Sequence, residues 1–463
     1  MWPPLLRLWH SCFGLCCSLE VDEIEINARE AACQALMRYE KRGTFPATTL
    51  EELYRSNAME RRERALSAEL TYGTLEKLLP IDYFLETVSS RPVAALDTPV
   101  RALLRLAAYQ ILYLDRIPDH AAVNEAVEMA ERMSPRAKGF VNGVLRNLAR
   151  QKELLFLPEG GQPDKLSLRF SIAQPLVEML MQQYPDLYRD ILPGLDTRAP
   201  LSLFVNAAIS SSEEVGRLTG AIETKTPGCM LLPGGEVTTL DGFAQGAFFV
   251  VGRSSAFAVQ AAAPKSGEIV LDLCASPGGK SFLCASLMLD QGNILAFDVS
   301  EYKIELIRQS AERLGFSSVL AATSDATNYN PMLREVGDLV LCDVPCSAIG
   351  TLHKQPEIRY KNPADFAGLP LLQHAILSNA SSYVKPGGRL LYTTCTLNRS
   401  ENYEVVRSFL SQHPEFQVLP VSELARQQDI RVMEQDGTVT ILPSEELDGF
   451  YVALLQKQKG EPT

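Results

Sequence analysis

Apolar residues recur at intervals of three and four through residues 27–150, which is the spacing of an amphipathic helix. The pattern is clear in the segments AREAACQALMRYE and VRALLRLAAYQILYL. Glycine is scarce there and runs of β-branched residues are few, so we expect an all-helical domain over residues 25–152. A linker-like segment rich in glycine and proline, PEGGQPDK, follows at residues 158–165.

The middle of the chain mixes two patterns. QPLVEMLMQQY predicts a helix, APLSLFVNAA predicts a strand, and LLPGGEVTTLDGFAQG is rich in turn residues. We therefore expect a small α+β linker subdomain over residues 165–250.

Strand and helix patterns alternate in the last part of the chain, residues 251–458. Helical stretches such as SEYKIELIRQSAERLG separate most of the strand candidates, which are EIVLDL, NILAFDV, SVLAAT, DLVLCD, RLLYTT and GFYVALL. Such alternation is typical of a doubly wound parallel sheet, so a Rossmann-like α/β domain is predicted.

Composition narrows the possible partners. The net charge of -12 over 463 residues argues against RNA binding by the whole surface, so any RNA must meet a local basic patch. No apolar run is as long as a membrane span, and no membrane partner is predicted. Ten cysteines are scattered without a disulfide framework, which is typical of free thiols in a reducing cytoplasm. Nothing demands an oligomer, and we expect a monomer.

The first 24 residues are expected to form a disordered extension. They contain Cys12, Cys16 and Cys17 beside His10, but this spacing does not match common zinc sites. No metal site is predicted.

A glycine turn lies between a predicted strand and a predicted helix in LDLCASPGGKS, residues 271–281. Gly278 and Gly279 allow a ligand to approach the backbone closely. The segment lacks the dinucleotide fingerprint G-x-G-x-x-G, and a P-loop would need glycine where Cys274 stands. S-adenosylmethionine is the remaining ligand class.

Two acids at the following strand ends support that ligand. Asp298, 20 residues after Gly278, is placed to bind the two hydroxyls of a ribose, and Asp325 is placed to hold the adenine amino group. The alternative for each acid is a helix cap or a turn.

Two thiols and one acid follow other strands. Asp343 ends DLVLCD, Pro345 then stiffens the turn that carries Cys346, and Cys395 follows RLLYTT. A thiolate that adds to carbon 6 of cytosine activates carbon 5 toward a methyl donor, while an acid at N3 and a base near carbon 5 complete the reaction. The alternative is that these cysteines fill the core, and we accept it for Cys342 and Cys284.

LDLCASPGGKS, DVPCSAIG and YTTCTLNRSEN resemble the signatures of the Nol/Nop/Sun family of RNA 5-methylcytosine methyltransferases. The resemblance implies that Cys395 is the nucleophile, that Cys346 assists product release and that Asp343 contacts the base and the cofactor. It also implies a site for S-adenosylmethionine at these residues: Cys274, Ala275, Ser276, Pro277, Gly278, Gly279, Lys280, Asp298, Asp325 and Asp343.

The helical segments VRALLRLAAYQILYL, AVNEAVEMAERM and GFVNGVLRNLAR resemble the NusB-type RNA-binding domain. That combination of domains implies a bacterial enzyme that methylates 16S rRNA through a covalent cysteine–cytosine adduct, by family habit at cytosine 967. Three positions depart from the family pattern. Ser276 replaces alanine, Phe204 replaces an arginine, and VVGRSSAFAV, with Arg253, replaces V-Q-D-x-A-S.

RNA contacts are predicted at Arg101, Arg105 and Arg146, with Arg150 nearby. Arg101 and Arg105 are four residues apart and share a helix face, and the alternative is a solvated face with salt bridges. A single-stranded or loop cytosine is the expected substrate because the base must leave its stack.

Two other functions stay open. A DNA cytosine methyltransferase would use Cys346 as its nucleophile, and an RNA-binding assembly factor would carry a silent catalytic domain. In all cases Ser400, Glu401 and Asn402 are expected to cap the next helix and steady the loop after Cys395.

Overall fold

The computed structural model describes residues 26–198 and 200–459. The predicted extension 1–24, with its cysteines and His10, lies outside the described residues. Within the described residues, no helix combines the length and the apolar character needed to cross a membrane. The same ranges contain no group of three His, Cys, Asp or Glu side chains that could hold a metal ion.

The N-terminal domain is helical, as predicted. Its first helix begins with a capping box between Asn27 and Glu30, and it ends at Gly43, whose φ of 65° is left-handed. A buried central helix, Thr98–Tyr113, packs against the other helices. The helices are α1 (Ala28–Arg42), α2 (Pro46–Ser56), α3 (Arg61–Glu76), α4 (Leu78–Val88), α5 (Thr98–Tyr113), α6 (Asp119–Met133) and α7 (Lys138–Gln151).

Among its described residues, the middle segment contains four helices and a small antiparallel sheet. The predicted helix and strand are both present, and the sheet order is β2-β3-β1-β4. The elements are α8 (Pro163–Phe170), α9 (Gln174–Gln183), α10 (Tyr188–Asp196), β1 (Leu201–Val205), α11 (Ser212–Thr219), β2 (Ile222–Glu223), β3 (Cys229–Leu232) and β4 (Phe248–Val250).

The C-terminal domain has a nine-stranded sheet with helices on both faces. Its helices are α12 (Arg253–Ala262), α13 (Gly279–Leu287), α14 (Glu301–Leu314), α15 (Leu369–Tyr383), α16 (Tyr403–Gln412) and α17 (Ser422–Gln427). Its strands are β5 (Ile269–Asp272), β6 (Asn293–Asp298), β7 (Val319–Thr323), β8 (Gly337–Asp343), β9 (Val384–Thr394), β10 (Phe416–Leu419), β11 (Val432–Gln435), β12 (Thr438–Ile441) and β13 (Phe450–Lys457).

The order of strands is β11-β12-β13-β9-β8-β5-β6-β7, with β10 paired to β13. Strands β5 to β9 are parallel, and the α/β fold is confirmed. The prediction of a fully parallel sheet is wrong at one edge, because β13 runs antiparallel to β9 and β10 to β12 were not predicted. The strand order reverses between β5 and β8: β6 and β7 follow on one side, and β9 on the other. Such a switch point leaves a crevice at the carboxyl ends of the strands, which is where α/β proteins bind their ligands.

Candidate active site

The two predicted thiols lie together at the carboxyl ends of β8 and β9. Asp343 and Thr393 are paired in register across these strands, so the loops that follow them leave the sheet side by side. The sulfur atoms of Cys346 and Cys395 are 3.3 Å apart, and both side chains are partly buried. Cys342 and Cys284 are fully buried in the core, as expected.

The two thiols differ in acidity. The hydrogen bond between the two thiols lowers the pKa of Cys395 below its ordinary value, against the opposing effect of burial. The same hydrogen bond, together with burial, raises the pKa of Cys346. Negative charge is therefore more stable on the Cys395 sulfur, which is the requirement for a nucleophile.

Asp343 is held by two neighbours. The Lys280 ammonium lies 2.5 Å from one carboxylate oxygen, and the Thr393 hydroxyl donates to the other at 2.8 Å. Lys280 also lies over the ring of Phe450, 5.2 Å from its centre, and contacts the Ser255 hydroxyl at 3.3 Å. Sequence reasoning assigned Lys280 to the cofactor loop alone, but the structure pairs it with the acid beside the thiols.

The glycine turn forms a tight passage from β5 to α13. Gly278 has a φ of 104°, and a Cβ at this position would lie 2.5 Å from the Phe282 ring. Ala275 N–H donates to the Phe297 carbonyl at 2.7 Å, which fixes Cys274, Ser276 and the rest of the turn beside the end of β6. Pro277 and Gly279 complete the turn, so the predicted loop residues are brought together.

Asp272 is a site residue that sequence reasoning missed. It is fully buried at the end of β5, and one carboxylate oxygen accepts from the Ser281 hydroxyl at 2.7 Å. The other oxygen has no donor among the described residues. Burial raises the pKa of Asp272 to about 6. Its signal in the sequence was an acid that directly precedes the glycine turn.

The two acids assigned to the nucleoside end differ in exposure. Asp298 is buried at the end of β6 and accepts from the Ser300 N–H at 3.1 Å. Asp325 is exposed and accepts from the N–H and hydroxyl of Thr327 at 2.9 and 2.7 Å, which is the turn contact weighed as its alternative. The free oxygen of Asp272 and the buried Asp298 fit a ligand with amino and ribose groups, and S-adenosylmethionine has both.

Glu401 and Asn402 do not cap the following helix. Asn402 precedes α16 without a side-chain capping bond; its amide instead donates to the Thr396 carbonyl at 2.9 Å. The Glu401 carboxylate reaches back to the Cys346 loop. The prediction that these residues cap the helix is wrong, because their side chains bind the loops that follow Cys346 and Cys395 instead.

The predicted RNA contacts at Arg101 and Arg105 need correction. Arg101 pairs with Glu40, and Arg105 pairs with both Glu40 and Asp82, with the two arginine side chains only 15% and 16% exposed. Carboxylates bind both guanidinium groups, and Arg101 also donates to backbone carbonyls of residues 93–96, so the structure favours the salt-bridged face that was the alternative to a phosphate patch. Arg146 is exposed and stays a prediction.

Phe204 and Arg253, two residues that depart from the family pattern, both have buried side chains with partners in the fold. Phe204 is buried against Phe249, with ring centres 5.6 Å apart. Arg253 is 4% exposed and donates to Thr226, Glu446 and the Gln428 carbonyl at 3.0, 2.6 and 2.7 Å.

Family models, curated relatives and a solved structure resemble this chain over most of its length. The family model described as 16S rRNA methyltransferase RsmB/F matches residues 259–456, and the NusB family model matches residues 26–150. The Probable ribosomal RNA small subunit methyltransferase B of Bacillus subtilis is 33% identical over 93% of this chain and 99% of its own length. The Ribosomal RNA small subunit methyltransferase B of Klebsiella pneumoniae is 30% identical over 94% of this chain and 99% of its own length. The crystal structure of PH0851 is 27% identical with a TM-score of 0.76, covering 93% of this chain and 98% of that one.

Proposed function

Because this chain belongs to the ribosomal RNA small subunit methyltransferase B family, we propose that it methylates carbon 5 of a cytosine in 16S rRNA through a covalent adduct with Cys395. Membership in this family confirms the resemblance found in the motifs. The target is cytosine 967 if the family habit holds. The observation that carries the proposal is the pair of thiols 3.3 Å apart at the carboxyl edge of the sheet, with Asp343 beside them.

The first step is addition of the Cys395 thiolate to carbon 6. Its lowered pKa supplies the reactive thiolate. Electrons then move toward N3 of the ring, and the Asp343–Lys280 pair supplies the proton that N3 takes up. Carbon 5 becomes enamine-like and can attack a methyl group.

S-adenosylmethionine, when bound, supplies the methyl group as an electrophile. Asp272, the turn from Cys274 to Lys280, and Asp298 would hold it, since they line the carboxyl ends of β5 and β6 next to the thiols. Asp325 stays a candidate for the adenine.

Release reverses the addition. The proton at carbon 5 passes to water, its electron pair re-forms the double bond to carbon 6, and Cys395 leaves as a thiolate. N3 then returns its proton to the Asp343–Lys280 pair, which restores the neutral ring and the starting state of the pair. Cys346, whose pKa is raised, keeps its proton and donates a hydrogen bond to the departing sulfur. This assigns Cys346 to leaving-group assistance rather than to a base.

Substitution of each thiol tests the proposal. Purified protein with labelled S-adenosylmethionine is expected to methylate unmodified 16S rRNA, and Cys395→Ala to abolish transfer and adduct. Cys346→Ala is expected to accumulate a protein–RNA adduct that survives denaturing electrophoresis, because its leaving group is no longer assisted.

Cys33→Ala is the matched control, since Cys33 is a buried thiol in the N-terminal domain and should leave turnover unchanged. The opposite result for the two thiols, with Cys346 essential and Cys395 dispensable, would indicate the DNA methyltransferase mechanism. Failure of the wild-type protein to bind S-adenosylmethionine by calorimetry would indicate an RNA-binding factor instead.

A further inference from the structure

Glu401 is a fully buried carboxylate in the loop after Cys395. Four neutral donors satisfy it. One oxygen accepts from the Ser347 hydroxyl at 2.5 Å and the Asn398 amide at 2.9 Å, and the other accepts from the Ser347 N–H and the Gln373 amide, both at 2.9 Å. A buried charge that no cation partners is costly, and such groups concentrate where a structure has a functional demand.

The donors come from both thiol loops and from a helix. Ser347 directly follows Cys346, whereas Asn398 and Glu401 lie in the loop after Cys395. Gln373 of α15 also donates to the Pro345 carbonyl at 2.9 Å, so α15 holds the residue before Cys346 directly and the residue after it, Ser347, through the Glu401 carboxylate. The carboxylate therefore fixes the Cys346 loop against the Cys395 loop.

A second set of contacts joins the same two loops. The hydroxyls of Ser347 and Thr396 are 2.7 Å apart, and the Gly350 N–H donates to the Cys395 carbonyl at 2.9 Å. These contacts hold the ends of the loops, and Glu401 is the charged group at their centre.

We propose that Glu401 is a positioning residue for product release, which holds the Cys346 thiol in line with the sulfur of Cys395 as that sulfur leaves carbon 6. The assignment rests on the proposed function and goes beyond it, because it places the control of release on a group that touches neither the base nor the cofactor.

Electrostatics act in the same direction as the geometry. The pKa of Cys346 is raised first by its hydrogen bond to Cys395 and by burial, and the charge of Glu401 adds to the effect. Glu401 thus favours the protonated form of Cys346, which is the form that can donate to the leaving thiolate.

Glu401→Gln tests the assignment with almost no change in volume. The variant loses the charge and points an amide at donors, so the Cys346 loop shifts. Release should slow roughly 10- to 100-fold, since a displacement of about 1 Å in a reacting group can cost about 100-fold. The methylated adduct should accumulate on denaturing gels, while methyl transfer in a single turnover changes little.

Glu404→Gln is the matched control. It makes the same change of charge three residues away, at a half-exposed side chain that pairs with Arg407. It should release product at the wild-type rate. Equal release by Glu401→Gln and wild type, with both proteins folded, would overturn the assignment.

Two further variants separate positioning from general damage. In the Cys346→Ala background, Glu401→Gln should add no adduct, because the residue acts through a thiol that is already absent; an independent increase would contradict the proposal. If Glu401→Gln does not fold, Ser347→Ala removes one donor and should give a smaller accumulation of adduct, and none would count against the role. Trapping by Cys346→Ala but not by the Glu401 and Ser347 variants would overturn this inference alone, whereas absence of methyl transfer in the wild type would overturn the proposed function.

Discussion

At the residue scale, the buried carboxyl of Asp272 belongs to the candidate site but lowers the stability of the folded protein at neutral pH. The pKa of its buried carboxyl is raised to about 6, whereas an aspartate in an unfolded chain has a pKa of about 3.9. The folded protein therefore holds this proton more tightly. The contribution of Asp272 to stability is complete below about pH 4 and is lost as the pH rises through 6.

Asp272→Asn should therefore stabilise the protein at pH 8, by up to about 3 kcal/mol, and the gain should vanish near pH 4. Urea denaturation at the two pH values measures this difference, and calorimetry should show weaker binding of S-adenosylmethionine. Asp290→Asn is the control with the opposite sign: hydrogen bonds from Ser317 and Ser318 outweigh burial and lower the pKa of Asp290, so its loss should destabilise the protein at pH 8. Equal stability of Asp272→Asn and wild type at pH 8 would contradict the argument.

At the scale of elements, the site depends on close contact between two loops. The segment after Cys346 passes so near the start of β13 that a Cβ on Gly350 would lie 1.9 Å from the Gly449 carbonyl oxygen and 2.8 Å from the Cys395 carbonyl oxygen. Both neighbours are backbone atoms, so they cannot yield by changing a rotamer. Gly449 N–H in turn donates to the Gly350 carbonyl at 2.9 Å.

Gly350→Ala should therefore displace Cys395, lower methyl transfer strongly and destabilise the domain by about 1–3 kcal/mol, the usual range for overpacking. Adduct formation and urea denaturation measure the two effects. Gly368→Ala is the control, because a Cβ there meets no atom within 4 Å. An active Gly350→Ala enzyme of normal stability would show that the loops can separate without loss of function.

At the scale of the whole molecule, the segment that begins at Cys346 also joins the domains. Arg359 is 1% exposed and donates to the Phe170 and Leu195 carbonyls at 2.8 and 3.1 Å, with Asp196 at 3.4 Å. The next residue, Tyr360, donates to the Leu75 carbonyl of α3. The N-terminal domain thus rests directly on the continuation of the catalytic loop.

Arg359→Ala should destabilise the protein by about 2–6 kcal/mol, because each of two buried carbonyls left without a donor costs about 1–3 kcal/mol. Arg431→Ala is the control. Arg431 pairs with Asp190, which lies in α10 like the Leu195 that Arg359 contacts, but this pair is exposed, so its loss should cost about 1 kcal/mol or less. Denaturation midpoints measure both. Similar midpoints for the two variants would mean that Arg359 does not hold the domains together.

The ends of the parallel strands could be predicted from sequence, because apolar runs followed by Asp272, Asp298, Asp343 and Cys395 mark them directly. Contacts between residues that are distant in the chain could not be predicted. Glu40 lies 61 residues from Arg101, and Ser347 lies 54 residues from Glu401, so nothing local indicated either contact. Strands β11 and β12 have four residues each, too few for a clear alternation of apolar and polar positions.

The contact between Gly350 and Gly449 has a consequence for biosynthesis. Phe450, whose ring lies under the Lys280 ammonium, is the first residue of β13 and directly follows Gly449. A nascent chain on the ribosome therefore carries both thiols well before it has the residues that fix Lys280 and the Cys346 loop. The catalytic centre can therefore form only after β13 has been translated, more than 50 residues after Cys395.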